Sequence, residues 1–142
     1  MKILVLGASG MLGNAVMRLL SADGRLEVWG TVRSAKMRDY FDSAVAQRLI
    51  SDVNVENLDV LTALFAQVCP DVVINCIGLV KQLTAATDPL QALPINAMLP
   101  HRLARLCELG RVRLIHVSTD CVFNGKRGNY SCLLYTSDAA DE

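Results

Sequence analysis

Three glycines near the N-terminus have a spacing that suits phosphate binding. Residues 4–13 read LVLGASGMLG, so Gly7, Gly10 and Gly13 come straight after a run of aliphatic residues. Between a strand and a helix, the first glycine permits a tight turn, the second lets the backbone approach a diphosphate, and the third lets the helix pack closely on the strand. The diphosphate would lie at the helix N-terminus, where free N–H groups and the helix dipole favour negative charge. The alternative is a set of glycines that only forms a turn.

The rest of the chain alternates short apolar runs with helical patterns, as such a binding turn requires. We expect strands at residues 2–6, 26–32, 48–50, 71–78 and 113–117, with residues 51–53 as the exit from the third strand. The first helix follows the glycines, and its expected apolar face consists of Met11, Leu12, Ala15, Val16, Leu19 and Leu20. The alternation predicts βαβ units with right-handed crossovers. The expected fold class is therefore α/β, a Rossmann-type doubly wound parallel sheet that ends after about the fifth strand.

Two later helices carry recognisable start signals. Asn57 can cap a helix that Pro70 closes, and Asp88 can cap a helix that has Pro89 at its first position. Pro94 and Pro100 then interrupt a helical pattern that continues to residue 109. We expect either a kinked helix or two helical pieces there.

Composition excludes several classes of partner. The chain of 142 residues is 52% hydrophobic and 20% charged with a formal net charge of zero, which is typical of a globular domain and argues against nucleic acid or an acidic membrane as a partner. Five scattered cysteines indicate reduced thiols in a cytoplasmic protein. His101 and His116 lack the spacing of metal ligands, so no metal site is expected.

The glycine spacing is G-x-x-G-x-x-G, which resembles the extended branch of the short-chain dehydrogenase/reductase superfamily. That resemblance implies a nicotinamide nucleotide as the cofactor, NADPH first and NADH as the alternative. The cofactor-binding residues that it implies in the turn and the start of the helix are Gly7, Ser9, Gly10, Met11, Leu12 and Gly13.

Further positions match the same superfamily. Arg33 follows the second strand where an acidic residue would hold the ribose hydroxyls, and a basic residue there suits a 2′-phosphate. The alternative is a solvated arginine on a loop. Asp52 and Val53 resemble the pair whose carboxylate accepts from the adenine amino group, although an ordinary turn aspartate is nearly as good an interpretation. The resemblance also implies that residues 75–78 (NCIG), which end the fourth strand, let the cofactor pass, and that Gly78, Leu79 and Val80 bind it.

The stretch VSTDCVFNGKRGNY (117–130) is the most specific and resembles dTDP-4-dehydrorhamnose reductases. The resemblance implies that Thr119 is the catalytic hydroxyl, which binds the C4 carbonyl oxygen of the sugar and stabilises the developing alkoxide. It implies that Asp120 contacts the substrate and that Val117 touches the nicotinamide side. The alternative is a Ser/Thr/Asp turn after a strand. Cys121 departs from the family, which often has tyrosine there, and this puts the identity of the sugar in doubt.

The family's proton donor, a tyrosine in a Tyr-x-x-x-Lys motif, is absent, because Ala44, Leu134 and Ala139 stand four residues after Tyr40, Tyr130 and Tyr135. Residues 132–142 (CLLYTSDAADE) also resemble the translation of a common sequencing adapter. The alternative is a native tail with chance similarity. We therefore expect an NAD(P)-binding Rossmann domain at 1–131, a partial enzyme that is itself inactive, followed by a non-native tail at 132–142.

The resemblance implies the cofactor-binding part of an NADPH-dependent reductase that acts on a nucleotide 4-keto-6-deoxysugar in the biosynthesis of cell-surface polysaccharide. Its expected partners are the nucleotide sugar and, in the full-length enzyme, a second subunit. One alternative is an NAD-dependent nucleotide-sugar epimerase or dehydratase of the same superfamily. Another is a non-catalytic module that senses NAD(P).

Overall fold

The protein folds around a five-stranded parallel sheet, in a computed structural model that describes residues 1–80 and 87–118. The strands are β1 (Lys2–Leu6), β2 (Glu27–Thr31), β3 (Leu49–Ile50), β4 (Val72–Asn75) and β5 (Arg113–His116). Their order in the sheet is β3-β2-β1-β4-β5, and every neighbouring pair is parallel. This is the strand order of the Rossmann fold. The predicted α/β class with a parallel sheet is confirmed.

Helical segments connect the strands. They are α1 (Met11–Ser21), a 3₁₀ helix (Ala35–Tyr40), α2 (Ser43–Ala46), α3 (Leu58–Val68), α4 (Pro89–Ala92) and α5 (Leu99–Gly110), with a π-helical segment (Leu93–Met98) between the last two. Among the described residues, no helix combines the length and apolar character that a membrane crossing requires. Residues 81–86 and 119–142 lie outside the described part. The second range includes the predicted site residues Thr119 and Asp120 and the predicted tail at 132–142.

The core lies on both faces of the sheet, because β1 is buried on both sides. Leu4 and Leu6 point into one cluster, which α3 and α5 cover with Leu61 and Leu103 among others. Ile3 and Val5 point into the other cluster, which also contains Met17 of α1. All of these β1 side chains are at most 4% exposed. A strand buried on both faces reads as a continuous aliphatic run, which is why its predicted bounds agree with the structure.

The predicted apolar face of α1 is confirmed only in part, because Val16 and Leu20 pack against the core but Met11 and Leu19 do not. Met11 and Leu19 are 97% and 74% exposed, whereas Gly13 and Met17 are buried. The rotation of the helix is set by Gly13, which packs against the backbone of the glycine turn. A helix fixed in this way turns its Gly13–Met17 side to the sheet and leaves residues 11, 15 and 19 facing outward.

The two predicted helix caps are present. The Asn57 side chain accepts hydrogen bonds from the amides of Asp59 and Val60 at 2.9 and 3.3 Å. The Asp88 carboxylate accepts from the amide of Leu90 at 3.0 Å. Beyond Asp88, the chain remains helical past both prolines, and the amide of Leu99 donates to the carbonyl of Pro94, five residues earlier. A wider π-type turn thus separates two α-helical pieces in the region where the sequence predicted a kink or two helical pieces.

Candidate functional site

A cleft of about 810 Å³ lies at the carboxyl ends of the strands, around the point between the neighbouring strands β1 and β4 where the strand order reverses. Open parallel sheets bind ligands at this position. The lining comes from the glycine turn, the ends of β2 and β4, the loop after β3, and the first turns of the helical segment that starts at Pro89. Its residues are Gly7, Ser9, Gly10, Thr31, Val32, Arg33, Met37, Asp52, Val53, Asn54, Val55, Glu56, Cys76, Ile77, Gly78, Leu79, Leu90, Gln91 and Ile95.

The glycine turn at the floor of the cleft is built by close backbone contacts. Gly7 has φ of +80°, a conformation that L-residues rarely adopt, and its amide donates to the buried Thr31 hydroxyl at 3.2 Å. A Cβ on Gly13 would lie 2.0 Å from the Gly7 carbonyl oxygen. Both positions therefore require glycine for the fold itself.

Gly10 is different, because the protein leaves room around it. A Cβ there would meet nothing closer than the Gly7 carbonyl oxygen at 3.5 Å, and its φ of −71° suits any residue. Gly10 is the N-cap of α1, with no capping side chain and no acidic residue in the first turn. The amides of Met11, Leu12 and Gly13 are thus without partners inside the helix, which is an arrangement suited to an anion.

Arg33 brings positive charge to the wall that follows β2. It is exposed, lines the cleft, and forms no ion pair with another residue in the described part of the chain. An unpaired guanidinium in a cleft can bind a phosphate with two parallel hydrogen bonds.

The loop after β3 supplies Asp52 and Val53 to another part of the cleft wall. Asp52 is exposed and has φ of +62°, a left-handed conformation in which aspartate is enriched. That backbone geometry alone accounts for an aspartate at a turn, while its position in the cleft wall would allow the carboxylate to accept from a ligand. Arg102 of α5 holds this loop by donating to the Glu56 carbonyl at 2.9 Å.

Two asparagines fix the loop after β4. Asn75 is fully buried, and its side-chain oxygen accepts from the Ile77 amide at 3.1 Å. Its amide nitrogen therefore faces Nδ1 of His116, also at 3.1 Å, which acts as the acceptor. Asn96, in the π-helical segment, accepts from the Leu79 amide at 2.8 Å and donates to the Leu79 carbonyl at 3.0 Å. Asn96 is exposed, yet its side chain is satisfied by backbone.

Cys76 is a half-buried thiol in the cleft wall, and burial raises its pKa. A raised pKa leaves the thiol protonated near neutral pH, so Cys76 supplies apolar surface and not a nucleophile. Within residues 1–80 and 87–118, no group of three or more His, Cys, Asp or Glu is arranged to hold a metal ion.

The cleft brings together eight of the thirteen residues predicted to bind the cofactor: Gly7, Ser9, Gly10, Arg33, Asp52, Val53, Gly78 and Leu79. Gly13 lies beneath the turn, and the side chains of Met11 and Leu12 point outward at the start of α1. Val80 and Val117 are 56% and 42% exposed and do not line the cleft.

Sequence reasoning missed much of the lining. Val32 and Ile77 stand at strand ends, so strand position alone could have identified them. Leu90, Gln91 and Ile95 come from the helical segment after Asp88, and no local pattern shows that this segment reaches the cleft.

Known proteins with similar sequences are reductases. The chain is 32% identical over 127 residues to a dTDP-4-dehydrorhamnose reductase of Mycobacterium tuberculosis, covering 89% of this chain and 35% of that protein. A crystal structure of a hypothetical dTDP-4-dehydrorhamnose reductase from Sulfolobus tokodaii superposes with a TM-score of 0.73 at 30% identity, covering 92% of this chain and 44% of that one.

A third comparison supports the fold alone. The dTDP-4-dehydrorhamnose reductase of Bacillus anthracis, solved in complex with NADP, has a TM-score of 0.67 at 22% identity and covers 89% of this chain and 39% of that one. The chain spans between 31% and 39% of the length of the curated relatives it matches. The sequence model of the family described as RmlD substrate binding domain matches residues 1–139, and the chain belongs to that family.

Proposed function

We propose that this chain is the cofactor-binding part of a reductase that uses NADPH, with NADH as the alternative, to reduce a nucleotide 4-keto-6-deoxysugar. The observation that carries the proposal is the glycine turn, in which Gly7 and Gly13 are required by the fold but Gly10 is not. A glycine that the protein's own packing does not need is explained by a ligand that approaches it closely. The reductases among its relatives support the choice of reaction.

The turn and its neighbours would hold the cofactor. The free amides of Met11, Leu12 and Gly13 and the open surface at Gly10 suit a diphosphate. The Arg33 guanidinium suits a 2′-phosphate, and the Asp52 carboxylate can accept from the adenine amino group. Leu79, held by Asn96, would form the wall along which the nicotinamide end extends.

When bound, NADPH supplies a hydride to the C4 carbonyl of the sugar. In the proposal, the Thr119 hydroxyl donates a hydrogen bond to that carbonyl oxygen and stabilises the alkoxide as it forms. Asp120 would orient the sugar. Protonation of the alkoxide requires an acid that the 142 residues do not contain as a Tyr-x-x-x-Lys motif. We therefore expect this chain to bind the nucleotide without turning it over.

The test measures NADPH oxidation by the full-length protein that carries this chain, with dTDP-4-dehydrorhamnose as substrate. We expect stoichiometric oxidation, and a decrease in kcat of about 10²-fold or more for Thr119→Val, as for loss of a donor to an oxyanion. Thr119→Ser keeps the hydroxyl and is the matched control. Conversion of a sugar nucleotide without net oxidation would instead indicate an epimerase, and binding without turnover of the full-length protein would indicate a sensing module.

A further inference from the structure

One arginine of α1 joins that helix to the chain between β2 and β3. Arg18 donates through Nε to the Asn14 side chain at 2.9 Å and through Nη2 to the Tyr40 carbonyl. Its guanidinium lies 5.4 Å from the centre of the Phe41 ring, and Nη1 is 4.0 Å from Asp42. Three consecutive residues, 40–42, are therefore held by a single side chain.

The residues that Arg18 holds belong to the same chain segment as two residues that line the cleft. We call residues 33–48 the β2–β3 segment; its Arg33 and Met37 line the cleft. Two backbone hydrogen bonds of the sheet fix the ends of this segment. The amide of Val32 donates to the Ile50 carbonyl at 2.9 Å, and the amide of Gly30 donates to the Arg48 carbonyl at 3.0 Å. Between these ends, Phe41 is buried at 8% exposure, and Arg38 donates to the Leu49 carbonyl at 2.6 Å.

Arg18 also lies beside the glycine turn. A shallow groove of about 470 Å³ is lined by Ser9, Gly10, Met11, Asn14, Arg18 and Tyr40. The helix that carries Arg18 has Gly10 as its N-cap, and its rotation is fixed by the contact of Gly13 with Gly7. Arg18 thus ties the β2–β3 segment to the same rigid unit that would hold the diphosphate.

We propose that Arg18 is a positioning residue for cofactor selectivity, which sets the distance between the diphosphate-binding turn and Arg33. The inference rests on the proposed function, because it assumes that Arg33 binds the 2′-phosphate. Arg18 itself is engaged by Asn14, Tyr40, Phe41 and Asp42. Its effect is therefore indirect. Loss of Arg18 would loosen the β2–β3 segment but leave the amides of the glycine turn in place.

The geometry calls for arginine. The contacts use Nε, both terminal nitrogens and the flat face of the guanidinium at once, and a lysine ammonium offers a single charged nitrogen with no planar face. Lysine would keep the positive charge beside Asp42 but lose the simultaneous bonds to Asn14 and Tyr40. An intermediate effect of lysine would separate bonding geometry from charge.

The test compares binding of NADPH and NADH by the wild-type protein, Arg18→Met and Arg18→Lys. The control is Arg25→Met, since Arg25 is an exposed arginine whose ion pair is with Asp23 in its own turn. We expect Arg18→Met to weaken NADPH binding about tenfold, or about 1.4 kcal/mol, while NADH binding changes less than about twofold. The NADPH affinity of Arg18→Lys should lie between those of the wild type and Arg18→Met, and the affinity of Arg25→Met should match the wild type. Thermal unfolding shows whether each variant is folded. If Arg18→Met is unfolded, the nucleotide preference of Arg18→Lys tests the positioning role instead.

The outcomes separate this inference from the proposed function. If the wild type prefers NADPH and Arg18→Met keeps the same preference, the positioning role is wrong and the proposed function stands. The role is also wrong if both nucleotides weaken equally, because that would indicate general damage to the site. A wild-type protein that binds neither nucleotide contradicts the proposed function itself.

Discussion

Gly13 packs directly against the backbone of Gly7, and this contact fixes the start of α1 against the end of β1. A Cβ on Gly13 would be 2.0 Å from the Gly7 carbonyl oxygen and 2.8 Å from its carbonyl carbon. The obstacle is backbone on both sides, so no side-chain rotation could relieve it. This contact fixes both the depth and the rotation of α1, and with them the direction in which its free amides point.

Gly13→Ala should therefore destabilise the protein by about 3 kcal/mol, at the upper end of the range for overpacking. Urea unfolding followed by circular dichroism measures the change. Gly24→Ala is the matched control, because a Cβ on Gly24 would meet no other atom within 4 Å and should change stability by less than about 0.5 kcal/mol. Equal stability of the two variants would show that α1 can move away from the turn without cost.

The same contact explains what the sequence could and could not predict. The bounds of β1 and the caps at Asn57 and Asp88 follow from local chemistry, an aliphatic run and side chains that accept from the next turn. The buried face of α1 does not, because hydrophobic periodicity counts large residues and overlooks a glycine as a packing contact. Because Gly13 was overlooked, Met11 was predicted on the buried face, whereas it points outward.

The residues that line the cleft also include some that the sequence could predict and some that it could not. The place of the glycine turn and Arg33 in the cleft could be predicted, because it depends on their spacing along the chain. Leu90 and Ile95 could not, because they reach the cleft only through the placement of a helical segment against the loop after β4. That placement depends on Asn96, whose two bonds to Leu79 span 17 residues of sequence.

Asn96→Ala should loosen the loop after β4 by removing both bonds to the Leu79 backbone. We expect a loss of about 1–2 kcal/mol in stability, as for two hydrogen bonds, and faster hydrogen exchange at the Leu79 amide. Asn57→Ala removes a helix cap outside the cleft and provides a comparison of similar cost. Unchanged exchange at Leu79 in Asn96→Ala would show that other contacts hold the loop.

Arg33→Ser should reduce the affinity for NADPH about tenfold and leave NADH binding unchanged, because hydrogen bonds to a charged phosphate contribute about 1.5–3 kcal/mol. Lys36→Ser is the matched control, since Lys36 is an exposed cation in the same segment that does not line the cleft. Competition with 2′,5′-ADP would measure the 2′-phosphate contribution directly. Equal losses for both variants would indicate long-range attraction and not a specific contact.

Cys76 should report occupancy of the cleft through its rate of alkylation. Burial raises the pKa of the Cys76 thiol, and the thiolate is the reactive form, so its rate should still climb above pH 8.5, about the ordinary pKa of cysteine. At pH 7 the exposed Cys69 should be alkylated faster than the half-buried Cys76. Nucleotide should slow Cys76 but not Cys107, which is buried in the core away from the cleft. Mass spectrometry of the labelled peptides distinguishes the sites, and equal protection of Cys107 would indicate global tightening.

The most direct measurement of the central claim is a calorimetric titration of the protein with NADPH, repeated on Gly10→Ala. The structure leaves room for a Cβ at Gly10, so the melting temperature should be unchanged. The wild type should bind at micromolar concentration, and Gly10→Ala should bind about tenfold more weakly or worse, since the added methyl stands where the diphosphate approaches. A folded wild-type protein with no affinity for NADPH or NADH at millimolar concentration would contradict the account.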